Sequence, residues 1–143
     1  MNSAELGPAL TTALQIAILH QFQRLGVTPS ATIGHSTGEI AAAYAAGYLS
    51  LEKAMTIAYY YGYVTRRNID GAMAAVPLGV DDLRQFLPEG VVVACENSPS
   101  STTLSGDRAI LEKVLDTMKS SRPGIDPKLL HVEVAYHSRK CTF

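Results

Sequence analysis

The sequence has few cysteines, little excess charge and no long apolar run, and each shortage excludes a class of protein. The two cysteines, Cys95 and Cys141, are too few and too far apart to predict a disulfide framework or a zinc site. A formal net charge of −1, with 17% charged residues, gives no basic surface for nucleic acid or an anionic membrane. No apolar stretch is long enough to cross a bilayer, and residues 1–5 lack the basic start and apolar core of a signal peptide. We therefore predict a cytoplasmic protein without a bound metal.

The pattern most informative about chemistry lies in residues 32–39, which read Thr-Ile-Gly-His-Ser-Thr-Gly-Glu. Ser36 stands two residues from a glycine on either side, after an apolar run (27–33) and before an alanine-rich helical run (40–46). This is the strand-turn-helix setting of a Gly-x-Ser-x-Gly nucleophile elbow, where glycines let the two backbones approach closely. The first N–H groups of the helix would face the serine oxygen. We predict Ser36 as the nucleophile and the backbone N–H of Thr37 as an oxyanion donor; the alternative is a chance match to a short pattern.

The chain, with 143 residues of which 47% are hydrophobic, can form one compact domain or two small packed subdomains. Its first half is predicted to hold helices over residues 8–25, 38–46 and 51–67. Apolar residues recur at three- and four-residue steps in the first helix, glycines stop the first and second, and Ser50 can cap the third. The apolar run 27–33 is predicted to be a short strand that enters the turn at Ser36.

The second half is predicted to run β-α-β-β-α-β, which is the ferredoxin-like order. The strands are expected over residues 72–78, 91–97, 102–105 and 129–135, and the helices over 80–87 and 108–121. The predicted fold is therefore α/β, with two subdomains and a return segment. Residues 1–70 would form a partial α/β-hydrolase-like subdomain with the elbow, 71–134 an inserted ferredoxin-like subdomain, and 135–143 the return segment.

A serine nucleophile needs a base, and the sequence offers four histidines. His35 adjoins Ser36, but a neighbour in an elbow normally points elsewhere, so we expect it to pack. His20 is predicted to lie within a helix and His131 to face solvent. His137 follows the last predicted strand, which returns the chain toward its start, so we predict His137 as the general base; the alternative is a surface histidine near a frayed C-terminus.

No carboxylate is an evident third member of a triad. The acids between Ser36 and His137, such as Asp107 and Asp116, fall in predicted turns and helices of the inserted unit. A Ser-His dyad with a backbone carbonyl orienting the imidazole fits better, and acyl transfer suits such a dyad.

Several segments together resemble the acyltransferase domain of iterative type I polyketide synthases, particularly the fungal highly reducing kind, and the related stand-alone malonyl-CoA:acyl-carrier-protein transacylase. The resemblance covers nearly the whole chain. It is carried by the Gly-His-Ser-Thr-Gly-Glu motif, the Ala-Tyr-His-Ser motif and shorter matches, at residues 34–47, 58–60, 71–73, 97–99 and 134–138.

The resemblance implies a ping-pong mechanism with no bound cofactor. Ser36, deprotonated by His137, would take an acyl group from a coenzyme A thioester and pass it to the phosphopantetheine thiol of an acyl carrier protein. The other domains of a multidomain synthase would be further partners. The resemblance also implies that the substrate is bound by four side chains at matching positions, namely His35, Tyr61, Asn97 and Tyr136. The residues before the histidine look more like the malonyl than the methylmalonyl pattern.

The sequence departs from the family in three ways. Tyr61 stands where the family has an arginine that pairs with the malonyl carboxylate, and Arg66 and Arg67 lie more than a turn further on, so we expect malonyl selectivity to fall. Gly7 precedes Pro8 where the family has glutamine. The family's segments that supply a second oxyanion contact and complete the large sheet are absent at the two ends. We expect their absence to expose sheet edges and apolar faces.

Two other readings remain beside an acyltransferase. The chain could be a non-catalytic relic or interaction module of a synthase that pairs with another chain to finish its sheet. It could also be a serine hydrolase that passes the acyl group of a thioester to water.

Overall fold

The computed structural model describes residues 5–68, 70–132 and 134–141. Those residues form a mixed α/β structure with five α-helices and four strands. The helices are α1 (Gly7–Arg24), α2 (Gly38–Ala45), α3 (Leu51–Asn68), α4 (Val80–Leu83) and α5 (Arg108–Ser121). The strands are β1 (Ala72–Val76), β2 (Val91–Ser98), β3 (Ser101–Gly106) and β4 (Lys128–Leu129). The chain divides into two compact units, Met1–Thr65 and Arg66–Phe143.

The first unit buries few of its apolar side chains. Pro8 in the first turn of α1 suits a position whose N–H has no partner in the helix, and α1 packs against α2. Ile16 is buried, but a row of large apolar residues on α1 is about half exposed. The row consists of Leu10, Leu14, Ile18 and Phe22. An apolar helix face of this length normally packs against another element.

The strand predicted over residues 27–33 is absent from the structure. Those residues, all of them described, run without regular secondary structure up to the turn at Ser36. A strand exists only through ladder hydrogen bonds to a neighbour, and no other strand lies in the described part of the first unit. Ile33 is consequently 97% exposed. The prediction of a strand over this run was therefore wrong.

The second unit is built on an antiparallel four-stranded sheet with the order β2-β3-β1-β4. The central pair β1–β3 runs in regular register from Ala72 opposite Gly106 to Val76 opposite Thr102. The edge strand β2 pairs with β3 but shifts register twice along its length, which marks it as bulged. The observed elements follow the predicted strand and helix sequence of residues 72–129.

The core of the second unit lies between the sheet and α5. Leu111, Leu115 and Met118 recur at helical spacing on one face of α5 and are 5% exposed or less. They meet Leu104 of β3, which is fully buried, and the small side chains of β1. Burial of this face stabilises both layers, at about 25 cal/mol per Å² of apolar surface removed from water.

Two predicted boundaries in this unit were wrong. The last strand, predicted over residues 129–135, is only Lys128–Leu129, because β1 offers it just two paired positions, Ala74 and Ala75. The helix predicted over 80–87 is one α-helical turn, α4, followed by a 3-10 turn, Arg84–Phe86. His131, predicted to face solvent, is exposed, but it lies in a bend rather than in a strand.

Candidate active site

Ser36 lies in a tight turn that leads directly into α2. Its backbone has φ +55°, a left-handed conformation that a residue with a Cβ seldom adopts. The N–H of Gly38 bonds to the carbonyl of His35 (3.0 Å), and that of Glu39 bonds to the carbonyl of Ser36 (3.1 Å). The chain therefore reverses within two residues on either side of the serine, and the side chain of Ser36 is half-buried.

The two glycines of the motif have different roles in this turn. A Cβ on Gly34 would overlap the backbone of Gly38 and Glu39, so the segment before the serine lies directly against the start of α2. A Cβ on Gly38 would meet only the side-chain nitrogen of Gln15, at an ordinary 3.7 Å. The close approach that we expected of both glycines is thus required of Gly34 alone.

Thr37, the predicted oxyanion donor, immediately precedes α2. Its backbone is already helical, with φ −60° and ψ −18°. Its N–H makes no hydrogen bond to another described backbone group, whereas the N–H groups of residues 38–40 are bonded. An unbonded N–H at the positive end of a helix can stabilise an oxyanion. No other described backbone group competes for this N–H, and its role as an oxyanion donor stays a prediction.

His137 lies in a second turn, in the return segment. The two residues before Tyr136, Val134 and Ala135, are almost wholly buried, whereas the His137 side chain is exposed. After it, the hydroxyl of Ser138 accepts the N–H of Lys140 (3.2 Å) in front of a final 3-10 turn. His137 has φ +56°.

Ser36 and His137 share an unusual backbone conformation. Within residues 5–68, 70–132 and 134–141 they are the two residues other than glycine with positive φ. Such conformations cost of order 1–3 kcal/mol each, persist only where the surroundings enforce them, and are concentrated at functional sites. The sequence had singled out the same two residues on chemical grounds.

The remaining predicted site residues fall into separate places. His35 shares the Ser36 turn, and its side chain is exposed rather than packed as we expected. Tyr61 is half-buried on α3, and its carbonyl accepts a hydrogen bond from the hydroxyl of Thr65. Tyr136 is partly buried beside His137, and burial raises the pKa of its phenol above the ordinary value.

Asn97 occupies an irregularity in β2. The register jumps from Glu96 opposite Thr102 to Ser98 opposite Ser101, so Asn97 is the extra residue of a bulge. Its Nδ2 donates a hydrogen bond of 3.0 Å to the hydroxyl of a β3 residue, Thr103. The bulge fixes the direction of this exposed amide, which the sequence pattern alone did not predict.

Sequence reasoning gave Gln15 and His20 of α1 only a surface or interface role, and it did not single out Thr12. Gln15 lies against Gly38, two residues after the serine. Its Oε1 and the hydroxyl of Thr12, one turn earlier, are buried without a hydrogen-bond partner among the described residues. His20 bonds to the Tyr44 hydroxyl at 2.7 Å. The three-residue spacing of Thr12 and Gln15, which puts both on one side of α1, was the available signal.

The described residues contain no cluster of three metal-ligating side chains. In the same part of the chain, no helix combines the length and apolar character needed to cross a membrane.

Comparison with known proteins gives consistent matches. The sequence model of the acyl transferase domain matches residues 4–142. Over 139 residues the chain is 50% identical to the highly reducing polyketide synthase FUM1 of Gibberella moniliformis and 47% identical to the highly reducing polyketide synthase gloL of Glarea lozoyensis. Each match covers 96% of this chain but only 5% and 6%, respectively, of those relatives.

Solved structures give the same result. The acyltransferase domain from the second module of the salinomycin polyketide synthase superposes with a TM-score of 0.87 at 32% identity, covering 97% of this chain and 33% of that one. The malonyl-CoA:ACP transacylase of Synechocystis sp. gives a TM-score of 0.80 at 25% identity, covering 92% of this chain and 45% of that one. The chain therefore spans less than half of either solved protein.

Proposed function

The chain belongs to the acyl transferase domain family, and from that premise we propose that it moves a malonyl-type acyl group from coenzyme A to an acyl carrier protein. Ser36 is the nucleophile and His137 its general base. The observation that carries this assignment is the left-handed backbone shared by these two residues and by no other non-glycine residue in the described part of the chain.

The proposed reaction has two half-reactions. In the first, His137 takes the proton of the Ser36 hydroxyl while the Ser36 oxygen attacks the thioester carbonyl carbon. The N–H of Thr37 stabilises the oxyanion that forms. The carbon–sulfur bond then breaks, and the coenzyme A thiolate leaves with the proton from the imidazolium. In the second, the phosphopantetheine thiol of the carrier protein gives its proton to His137 and attacks the seryl ester. The ester carbon–oxygen bond breaks, and the Ser36 oxygen takes the proton from His137, which restores both residues. No metal or bound cofactor takes part.

We also propose a division of the chain into two subdomains and a return segment, which suits this chemistry. We assign residues 1–70 to a partial α/β-hydrolase-like subdomain whose nucleophile elbow is the Ser36 turn. Residues 71–134 are assigned to a ferredoxin-like subdomain, which is supported by the antiparallel order β4-β1-β3-β2. Residues 135–143 form the return segment that carries the base. We place the protein in the cytoplasm, within a multidomain synthase.

Substrate selection is proposed to rest on His35, Tyr61, Asn97 and Tyr136. Tyr61 occupies the position of the arginine that the family uses to pair with a malonyl carboxylate, and a phenol cannot form that bidentate pair. We therefore expect Tyr61→Arg to raise malonyl over acetyl loading. A competition between the two coenzyme A thioesters measures this ratio, and an unchanged ratio would remove Tyr61 from the substrate site.

Intact-protein mass spectrometry tests the acyl-enzyme. After incubation with malonyl-CoA the wild type should gain one malonyl group, and Ser36→Ala should gain none. His20→Ala is a matched control, since it alters a histidine held by Tyr44 rather than the predicted base, and it should still load. A wild type without an adduct, or an equal adduct on Ser36→Ala, would refute the proposal.

Two alternative functions remain: the absence of an adduct identifies the first, and one further experiment separates the second from the transferase. The half-exposed apolar face of α1 favours a non-catalytic interaction module, for which no adduct would form. A serine hydrolase would form the adduct but pass it to water. Adding holo acyl carrier protein to the loaded chain distinguishes these cases, because transfer gives acylated carrier protein whereas hydrolysis gives free acid.

A further inference from the structure

The return segment is fastened to the rest of its unit by the first residue of α5. Arg108 Nη2 donates hydrogen bonds to the carbonyl oxygens of Val132, at 3.3 Å, and Gly71, at 3.5 Å. One guanidinium thus ties together the chain just before β1 and the chain that leads to His137. Because both acceptors are backbone atoms, the tie fixes the main chain rather than a mobile side chain.

A second basic side chain acts from the other side of His137. Lys140 lies three residues after it, and its Nζ donates a hydrogen bond of 3.1 Å to the carbonyl oxygen of Asp70. The same nitrogen forms an ion pair of 3.2 Å with the carboxylate of Asp107. The two cations therefore bind the carbonyl groups of adjacent residues, Asp70 and Gly71, and the carboxylate that pairs with Lys140 adjoins Arg108 in sequence.

Close packing supports these polar contacts. Gly71 has φ +151°, and a Cβ there would lie 2.7 Å from the Cβ of Ala135 and would also meet the carbonyl oxygen of Gly106. The return segment thus lies directly against the backbone at the start of β1, two residues before His137. Only glycine leaves room for this approach.

Arg108 also forms an ion pair of 3.8 Å with Glu112, four residues later on α5, but its place in the helix does not favour a cation. Arg108 occupies the first position of α5, whose first turn contains no acidic residue. The N-terminus of a helix carries a partial positive charge, so cations there are unfavourable. Their contacts with Gly71, Val132 and Asp70 give them a different role.

We propose that Arg108 and Lys140 form a clasp that holds the His137 turn in its left-handed conformation, and that both are positioning residues for the base. Each contact is weak alone, since the Lys140 and Asp107 side chains are 39% and 52% exposed. Acting on both sides of one short turn, the contacts supply the restraint that a positive φ at a histidine requires. The role in catalysis rests on the proposed function, whereas the restraint itself does not.

The test uses Lys140→Gln and Arg108→Gln in the full chain, with Lys140→Arg as the conservative rescue. Arg122→Gln is the matched control, because Arg122 forms an ion pair with Asp82 at 3.0 Å, with side chains 35% and 55% exposed, at the far end of α5. Two readouts are needed. Amide hydrogen exchange over residues 134–141 reports the restraint without turnover, and the kinetics of Ser36 acylation by malonyl-CoA report positioning.

We expect amide exchange in residues 134–141 to rise about three- to tenfold in both glutamine variants, the size expected for losing one partly exposed charged hydrogen bond. The maximal rate of Ser36 acylation should fall by a similar factor with little change in KM. Lys140→Arg should keep the exchange and the maximal acylation rate at their wild-type values, and Arg122→Gln should change neither of these two quantities. Unchanged exchange overturns the clasp, and so does an equal effect in Arg122→Gln. Faster exchange with an unchanged maximal rate overturns the positioning role. A wild type that never acylates refutes the proposed function, and the exchange result still decides the restraint.

Discussion

Replacing the two glycines of the serine motif by alanine should give opposite results. At Gly34 the new Cβ would overlap the backbone of Gly38 and Glu39, which no side-chain rotation can relieve. Forced overpacking of this kind typically costs about 1–3 kcal/mol, and backbone clashes lie at the upper end. At Gly38 the new Cβ meets only Gln15 Nε2, at 3.7 Å, within the first turn of a helix. Alanine is favoured over glycine there by roughly 0.5–1 kcal/mol.

The expected difference between the two variants is therefore about 2–4 kcal/mol for the same chemical change, four residues apart. Urea unfolding followed by circular dichroism measures it, and amide exchange of α2 locates it. Gly34→Ala should unfold at lower urea and exchange faster at the start of α2. Gly38→Ala should match or exceed the wild type. Equal losses in both variants would show that the segment before Ser36 does not lie against the start of α2.

Three further predictions follow from burial and exposure. Leu104→Ala removes a fully buried side chain from the sheet and should lower the free energy of unfolding by about 2–5 kcal/mol. Leu129→Ala changes a side chain that is 36% exposed and should lower it far less. Similar losses for the two variants in urea titrations would show that the core does not lie at Leu104. The half-exposed apolar row on α1 should make the chain self-associate as its concentration rises. Leu14→Lys should reduce this self-association in sedimentation velocity, whereas Gln23→Lys, which adds the same charge at an exposed polar position, should not. Equal behaviour of the two variants would show that this face does not mediate it. Burial raises the pKa of the Cys95 thiol above its ordinary 9.0, so alkylation of this thiol in the folded chain should reach half its maximal rate at a higher pH than in urea. Because the unfolded chain loses this proton first, the free energy of unfolding should fall as the pH rises above 9.0. Coincident pH profiles of alkylation in the folded and unfolded chain would contradict this burial.

The sheet unit was largely predictable because its elements are stabilised by local patterns. The periodic leucines of residues 108–121 predicted α5 with its observed bounds, since one helix face carries all of its large apolar residues. The strands β1 and β3 were predicted to within two residues, because turns bound them on both sides. Their order and pairing follow from the element sequence.

The structural predictions that failed concern contacts that the local sequence does not encode. The run 27–33 has strand composition but no partner in the described chain, and the strand predicted over 129–135 could pair only as far as β1 allowed. The register shift at Asn97 is a local change in backbone pairing, and the contacts of Arg108 reach the backbone of residues 71 and 132, far away in sequence. Backbone contacts of this kind leave almost no trace in residue type.

The candidate residues of the site could be selected from the sequence, but their backbone conformations could not. A serine in a glycine-bounded turn and a histidine after the last strand can be recognised from residue type and spacing. Their positive φ angles could not be foreseen, because a left-handed backbone at serine or histidine is imposed by the surrounding fold.

The most direct test of the account is the rate at which Ser36 is acylated by malonyl-CoA in the wild type and in His137→Ala, followed by intact-protein mass spectrometry. Loss of a general base should slow this step by about 10²–10⁴-fold, while the unfolding transition changes little because the His137 side chain is exposed. Equal rates in the two proteins would show that the alcohol and the imidazole do not act together, and would contradict the proposed mechanism.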